Sequence, residues 1–223
     1  RATAPIKLDG VLDEADWARA MVVKPFWRLA DDTGLQPAAD QTEVRLLWDN
    51  EYLYIGATME DKDLTATFTK HDDQLWTDGD VFEFFVKPSA DSYRYYEFHV
   101  NPLNTTLDLG FPRRGSTGWN LMVAFESGIK TAVKLDGTLN NPDDVDRGWT
   151  AEIAIPLAAF KGVKEAGEPK AGTVWKFAPC RYNYSVHLPA EMIAGCELSS
   201  AARDLKVRCF HNYENYLPLV FTP

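Results

Sequence analysis

The sequence predicts an all-β fold, an antiparallel two-sheet β-sandwich, jelly-roll-like, with one or two short helices. Three observations predict it. Apolar and polar residues alternate with period two from Thr42 to Asn101, most plainly in TEVRLLWDNEYLYIGATMED, as strands with two distinct faces require. Roughly ten short segments of this kind are separated by turn residues, the pattern of two packed sheets. Helix signals are few and brief. At 223 residues the chain can bury a core within one sandwich, so residues 1–223 are read as a single domain.

From the N-terminus, Asp13 is placed to cap a short helix through Ala20. Thr42–Trp48 and 52–59 read as strands joined by Asp49-Asn50-Glu51, a polar connection short enough for a hairpin. Strands are expected next at 80–86, 93–101, 105–109, 121–126 and 129–135. The polar stretch GTLNNPDDVDRG, 137–148, is a turn insertion leading into a strand at 148–155. In that strand Ala151, Ile153 and Ile155 share one face and Thr150, Glu152 and Ala154 the other, which suits a sheet with one wet face. Pro156 opens a turn through Phe160 at a first helical position. The Gly-, Lys- and Glu-rich run 161–172 reads as a mobile surface connection before a last strand at 173–180.

Composition removes several function classes. With 45% apolar and 13% aromatic residues the chain is neither disordered nor membrane-inserted, since no apolar run approaches the roughly 18 residues of a spanning helix. A net charge of −10 without clustered Lys or Arg argues against a nucleic-acid partner, because phosphate binding needs concentrated positive charge. Acidity suits calcium, or a neutral ligand whose hydroxyls pair with carboxylates and amides. Cys180, Cys196 and Cys209 match no zinc spacing and are either a disulfide with one thiol or three thiols. His71, His99, His187 and His211 fall in no metal or haem motif, and neither a Gly-x-Ser-x-Gly elbow nor a phosphate loop occurs.

Asp72, Asp73, Asp78, Asp80 and Glu83 crowd around Trp76, and calcium takes about six to eight oxygens converging from such loops. No EF-hand loop is complete, so a solvated acidic turn is the competing role. Asp61 and Asp63, and Asp143, Asp144 and Asp146, are further candidates; the expected ligands are Asp61, Asp63, Asp78 and Asp80. Trp76 itself stands between an acidic loop and a strand, where an indole can form a flat platform. A sugar stacks its C–H face on such a ring while its hydroxyls take polar partners, for which Glu83, His99 and Asn101 are suitable types. Trp17, Trp48, Trp149 and Trp175 lie in apolar alternation and are assigned to the core; Trp27 and Trp119 are assigned to neither role. A carboxylate pair can also cleave a glycosidic bond, given a separation of about 5–10 Å that sequence does not supply.

The segments IKLDGVLDEADWARA, EVRLLWDNEYLYIGATMED, WTDGDVFEFFVKP, YYEFHVNP, GWTAEIAIPLAAF and FHNYENYLPLVF run in order from Ile6 to Phe221. Together they resemble carbohydrate-binding module family 9, within the wider DOMON-like group. The resemblance implies a β-sandwich with structural calcium, and glucose, cellobiose or glycan reducing ends held between two tryptophans. It implies Trp76 as one wall and Glu83, His99 and Asn101 as hydroxyl partners, with arginine usual where His99 stands. The opposite wall is expected after the last strand, from Arg181, Tyr182, Asn183 and Tyr184, with tyrosine in place of the second tryptophan. The implied protein is a non-catalytic carbohydrate-binding module without organic cofactor, secreted, periplasmic or cell-surface, within a multidomain glycan-degrading system. Its rivals are a haem-binding electron-transfer domain, needing an axial histidine with Met59, Met122 or Met192, and a glycoside hydrolase.

Overall fold

The structure, a computed structural model, describes residues 1–29, 35–163, 169–189, 192, 195–205 and 209–223. One sheet contains β1 (Met21–Val23), β4 (Thr42–Trp48), β5 (Tyr52–Glu60), β10 (Gly148–Pro156) and β9 (Lys130–Asp136), in that order. The other runs β3 (Gln36–Pro37), β2 (Trp27–Arg28), β12 (Cys196–Ser200), β11 (Val174–Tyr184), β6 (Val81–Lys87), β7 (Tyr95–Val100), β8 (Thr106–Phe111). Its eighth strand, β13 (Leu217–Val220), pairs with the first half of β11. Pairing is antiparallel throughout, so the expected two-sheet sandwich is what forms.

The β4–β5 hairpin closes as its sequence requires. Asp49 Oδ1 accepts the N–H groups of Glu51 at 2.7 Å and Tyr52 at 2.8 Å, which fixes Trp48 opposite Leu53. With that register, Val44, Ile55, Ala57, Ile153 and Ile155 meet Phe82, Phe84, Phe98, Trp175 and Phe177 between the sheets. Burial of each Val, Ile or Phe side chain there stabilises the fold by roughly 1.5–3 kcal/mol. Trp17, Trp48, Trp149 and Trp175 are all buried, as their alternation predicts.

Residues 121–126 do not form the expected strand. After Gly118, whose φ of 109° favours glycine, Trp119–Met122 makes one α-helical turn, α1. The chain then lays Phe125 on Tyr96, ring centroids 4.6 Å apart, so the alternation reflects an irregular segment packed over the sheet. The expected helix from Asp13 to Ala20 shrinks to a 3-10 turn, Trp17–Arg19. The Asp16 carboxylate beside it accepts the Thr3 and Ala4 N–H groups, contacts that hold its pKa down to about 2. The turn after Pro156 appears as a 3-10 helix, Leu157–Phe160. Of the surface connection expected at 161–172, residues 164–168 lie outside the described residues.

The outer faces of both sheets are covered in large part, although Thr58, Lys130 and Lys134 of the five-stranded sheet stay exposed. The N-terminal segment covers the five-stranded sheet, where fully buried Glu152 accepts the Asp9 and Gly10 N–H groups at 2.8 Å and the Trp17 indole N–H at 3.2 Å. Over the eight-stranded sheet, Val81, Phe85, Tyr95, Leu107, Leu109 and Cys180 pack against Leu75, Leu205, Phe210 and Tyr216. This second core buries both faces of β6 and β7 and thereby encloses their outward polar side chains. Cys180, Cys196 and Cys209 form no disulfide. No helix among the described residues is long and apolar enough to cross a membrane.

Candidate functional site

The period of two places Glu83 of β6, Glu97 and His99 of β7, and Tyr182 and Tyr184 of β11 on the outer face of the eight-stranded sheet. Glu83 lies opposite both His99 and Cys180, so one row of side chains crosses three strands. His99 Nε2 hydrogen-bonds Glu97 Oε1 at 2.5 Å, and His99 Nδ1 stands 3.4 Å from Glu83 Oε1. The row is closed to solvent: His99 is 0%, Glu83 2% and Glu97 5% exposed. Glu83 Oε2, Glu97 Oε2 and His99 Nδ1 nevertheless lack hydrogen-bond partners, at a cost of about 1–3 kcal/mol per buried polar atom. Burial, and then the charge of Glu97, pushes the Glu83 carboxyl well above the usual range, which favours its neutral form. Burial likewise raises the Cys180 thiol and the Tyr182 phenol, which stay protonated.

Trp76 roofs this floor. It sits in the 3-10 turn Leu75–Thr77, half-buried, with its ring 5.5 Å from that of His99. Two contacts hold the turn in place. At Gly79, with φ of 133°, a Cβ would stand 2.9 Å from Ala66 Cα and Thr65 O, so glycine lets the chain close against 65–66 before β6. Tyr184 then donates its hydroxyl to the Trp76 carbonyl at 2.8 Å. Half-buried Trp119, opening α1, adds its ring 5.9 Å from that of Trp76 at 56°. The two indoles form a continuous aromatic surface rather than parallel plates.

Of the residues expected at a ligand site, Trp76, Glu83 and His99 come together, with Tyr182 packed edge-on against Phe210 nearby and Tyr184 bracing the Trp76 turn. Asn101 is engaged in the β7–β8 connection, donating to Phe68 O at 2.9 Å and accepting the Thr105 N–H at 2.8 Å. Arg181 is elsewhere. Because β11 continues to Tyr184, Arg181 and Asn183 point between the sheets, and Arg181 is fully buried. Its guanidinium donates to Asp61 Oδ2 at 2.8 Å, Glu60 O at 2.6 Å and Asn183 Oδ1 at 3.0 Å. The ring beside that of Trp76 is Trp119, rather than one of the expected residues 181–184. Glu97 and Trp119 were missed by the sequence reading, although Glu97 lies two residues from His99 and so shares its face.

The four aspartates expected to hold calcium are each engaged with donors of the protein. Asp61 is paired with Arg181 and accepts the Asp63 N–H, while Asp63 accepts the Val186 N–H at 2.9 Å. Asp80 accepts the Thr65 and Tyr184 N–H groups, both at 2.7 Å, and Asp78 takes the Thr67 hydroxyl on the surface. These carboxylates splice loops to strand ends. Burial, then the neighbouring Asp61, raises Asp80 well above the carboxylate range. Among the described residues, ligating side chains converge as His71–Asp72–Asp108 and as Glu83–Glu97–His99, and neither group contains one of the four. Of the haem candidates, Met59 is buried between the sheets, on the opposite side of the eight-stranded sheet from His99. Two grooves lie over the five-stranded sheet, one of about 790 Å³ beside Trp17 and Arg45 and one of about 490 Å³ beside Lys134 and Trp149.

Over residues 8–177 the sequence matches the family described as carbohydrate family 9 binding domain-like. The chain belongs to that family. No curated protein gives a significant match. Among solved structures, one similar fold is a protein from Bacteroides uniformis ATCC 8492 provisionally described as carbohydrate-binding. It is 17% identical, with a TM-score of 0.65, and the alignment covers 92% of this chain and 88% of that one. A family 9 carbohydrate-binding module from Caldicellulosiruptor kristjanssonii in complex with cellotriose is also 17% identical, with a TM-score of 0.54 over 88% and 78% of the two chains. Its complex with glucose gives 17%, 0.52, 88% and 81%. At such identity these likenesses establish the shared sandwich, consistent with the family match.

Proposed function

We propose that this family 9 domain is a non-catalytic module that binds sugar at the Trp76–Trp119 surface, above the Glu83–Glu97–His99 floor. The observation that carries the reading is a half-buried indole pair whose Trp76 lies against His99, in a row of buried polar atoms that lack partners. Such a pair offers the flat apolar face a pyranose stacks on, worth about 0.5–1.5 kcal/mol per ring contact. Beneath it, Glu83, whose neutral form burial favours, can donate a hydrogen bond, Glu97 can accept one, and His99 links them, a set that suits vicinal hydroxyls. His99 is buried beneath Trp76, so a hydroxyl bond to the floor requires the Trp76 ring to move aside. Glucose and cellotriose, bound by the structurally similar family 9 module, are the first ligands to test.

The carboxyls argue for binding rather than hydrolysis. Glu83 and Glu97 are closed to solvent and share one histidine, so as arranged neither carboxyl faces the open sugar cleft that hydrolysis needs. Secretion and membership of a larger glycan-degrading protein accord with this role. Calorimetric titration with cellotriose and glucose tests it: saturable binding that a Trp76→Ala/Trp119→Ala variant loses supports the reading. Undiminished binding in a folded double variant would refute the site.

A further inference from the structure

A second polar cluster lies on the free edge of β8, away from the aromatic surface. His71 sits in the loop entering the Trp76 turn, and Thr106 O lies 2.9 Å from its Nδ1. That carbonyl can only accept, so Nδ1 carries a proton, and Nε2 is the nitrogen whose lone pair a metal would take in place of a proton. Nε2 faces three carboxylate oxygens: Asp72 Oδ1 at 3.4 Å, Glu126 Oε2 at 3.5 Å and Asp108 Oδ1 at 3.6 Å. All three distances exceed the usual 2.7–3.2 Å or so of a hydrogen bond. They do match the edge of a metal tetrahedron: with metal–nitrogen and metal–oxygen bonds of about 2.1 Å, ligand atoms stand about 3.4 Å apart.

Two further features point to an ion. Asp108 is 1% exposed, yet its Oδ1, aimed at this point, has no hydrogen-bond partner, and neither does Asp72 Oδ1. The positions are also held from behind. Ser127 donates its N–H to Asp108 Oδ2 at 2.6 Å, the Asp72 N–H bonds Thr106 O at 3.1 Å, and Asp72 keeps a φ of 70°, a conformation uncommon for a non-glycine residue. Three carboxylates against one imidazole leave a surplus of negative charge that a dication offsets. We propose that His71, Asp72 and Asp108, with the exposed Glu126 closing the open side, bind one divalent transition-metal ion of the zinc class. The imidazole nitrogen selects such an ion over calcium or magnesium, which prefer oxygen alone. The ion would clip the loop carrying His71 and Asp72 to the edge strand β8.

The test is calorimetric titration of the full chain, stripped with EDTA and dialysed, with zinc chloride, and separately with calcium and magnesium chloride. One zinc per chain is expected, with binding at least about tenfold weaker in His71→Gln and in Asp108→Asn. Asp108→Asn keeps an acceptor for Ser127, and surface His71→Gln remains informative if that variant is unstable. Absence of stoichiometric zinc binding, binding of calcium but not zinc, or equal zinc affinity in both variants would each overturn the assignment.

Discussion

Replacing Arg181 with methionine leaves Asp61 fully buried without its cation, and the size of the effect follows from the surroundings. The guanidinium holds Asp61, Glu60 O and Asn183 together between the sheets, and burial pushes the Asp61 carboxyl up while Arg181 pulls it back. Breaking a buried pair from one side typically costs about 3–5 kcal/mol. Asp61 can escape by taking a proton, which caps the electrostatic part at about 4 kcal/mol at pH 7 and about 1.5 kcal/mol at pH 5, starting from an ordinary pKa near 3.9. The sign is fixed by linkage. A carboxyl kept neutral in the fold but ionised in the unfolded chain destabilises increasingly as pH rises above its unfolded pKa. Urea unfolding of Arg181→Met should therefore show a loss that shrinks by roughly 2–3 kcal/mol between pH 7 and pH 5. Arg181→Met/Asp61→Asn should recover much of the pH 7 loss, and sugar affinity of the folded protein should not change. A loss equal at both pH values, or lost sugar binding without lost stability, would refute the structural role of Arg181.

Other predictions are simpler. Trp76→Ala and Trp119→Ala should each weaken sugar affinity by about 5–10-fold, equivalent to roughly 1–1.5 kcal/mol, as read by calorimetry. Tyr184→Phe, which removes the hydroxyl from the Trp76 carbonyl, should lower stability by about 1 kcal/mol in urea melts and weaken sugar binding as the turn loosens. Burial raises Glu197 to about 7 and Glu83 and Asp80 well above the carboxylate range, so the thermal midpoint should fall from pH 5 to pH 8 as these groups resist ionisation. A midpoint constant or rising over that span would contradict the burial argument. Glu83→Gln should leave the pH 5 midpoint close to wild type and flatten the decline toward pH 8.

Much of the fold was legible because strand alternation is a local signal: β4, β5, β6, β7 and β10 all fall within two residues of their expected bounds. What covers the sheets was not legible. The second core is built from segments distant in sequence, Leu75, Leu205, Phe210 and Tyr216, so nothing local reveals that Glu83, Glu97 and His99 lie beneath a roof. Arg181 shows how a boundary becomes a site error. With the strand expected to end at Cys180, residues 181–184 counted as a ligand loop; four more strand residues turn Arg181 and Asn183 inward and leave Tyr182 and Tyr184 outward. Trp119 was out of reach because its neighbours read as a strand, whereas the Gly118 conformation starts a helical turn there. The aspartates were visible as a group, but a carboxylate that accepts backbone N–H groups and one that holds a cation look alike in sequence. His71 carries no motif because its neighbours come from positions 108 and 126.

The seven tryptophans offer the most direct measurement, since their indole N–H resonances report separately on the aromatic surface and on the grooves of the other sheet. On titrating cellotriose into the labelled protein, the account predicts saturable shifts of the Trp76 and Trp119 indoles, with Trp17 and Trp149 unmoved. Shifts of Trp17 or Trp149 with Trp76 and Trp119 unchanged would place the sugar over the five-stranded sheet and contradict the account.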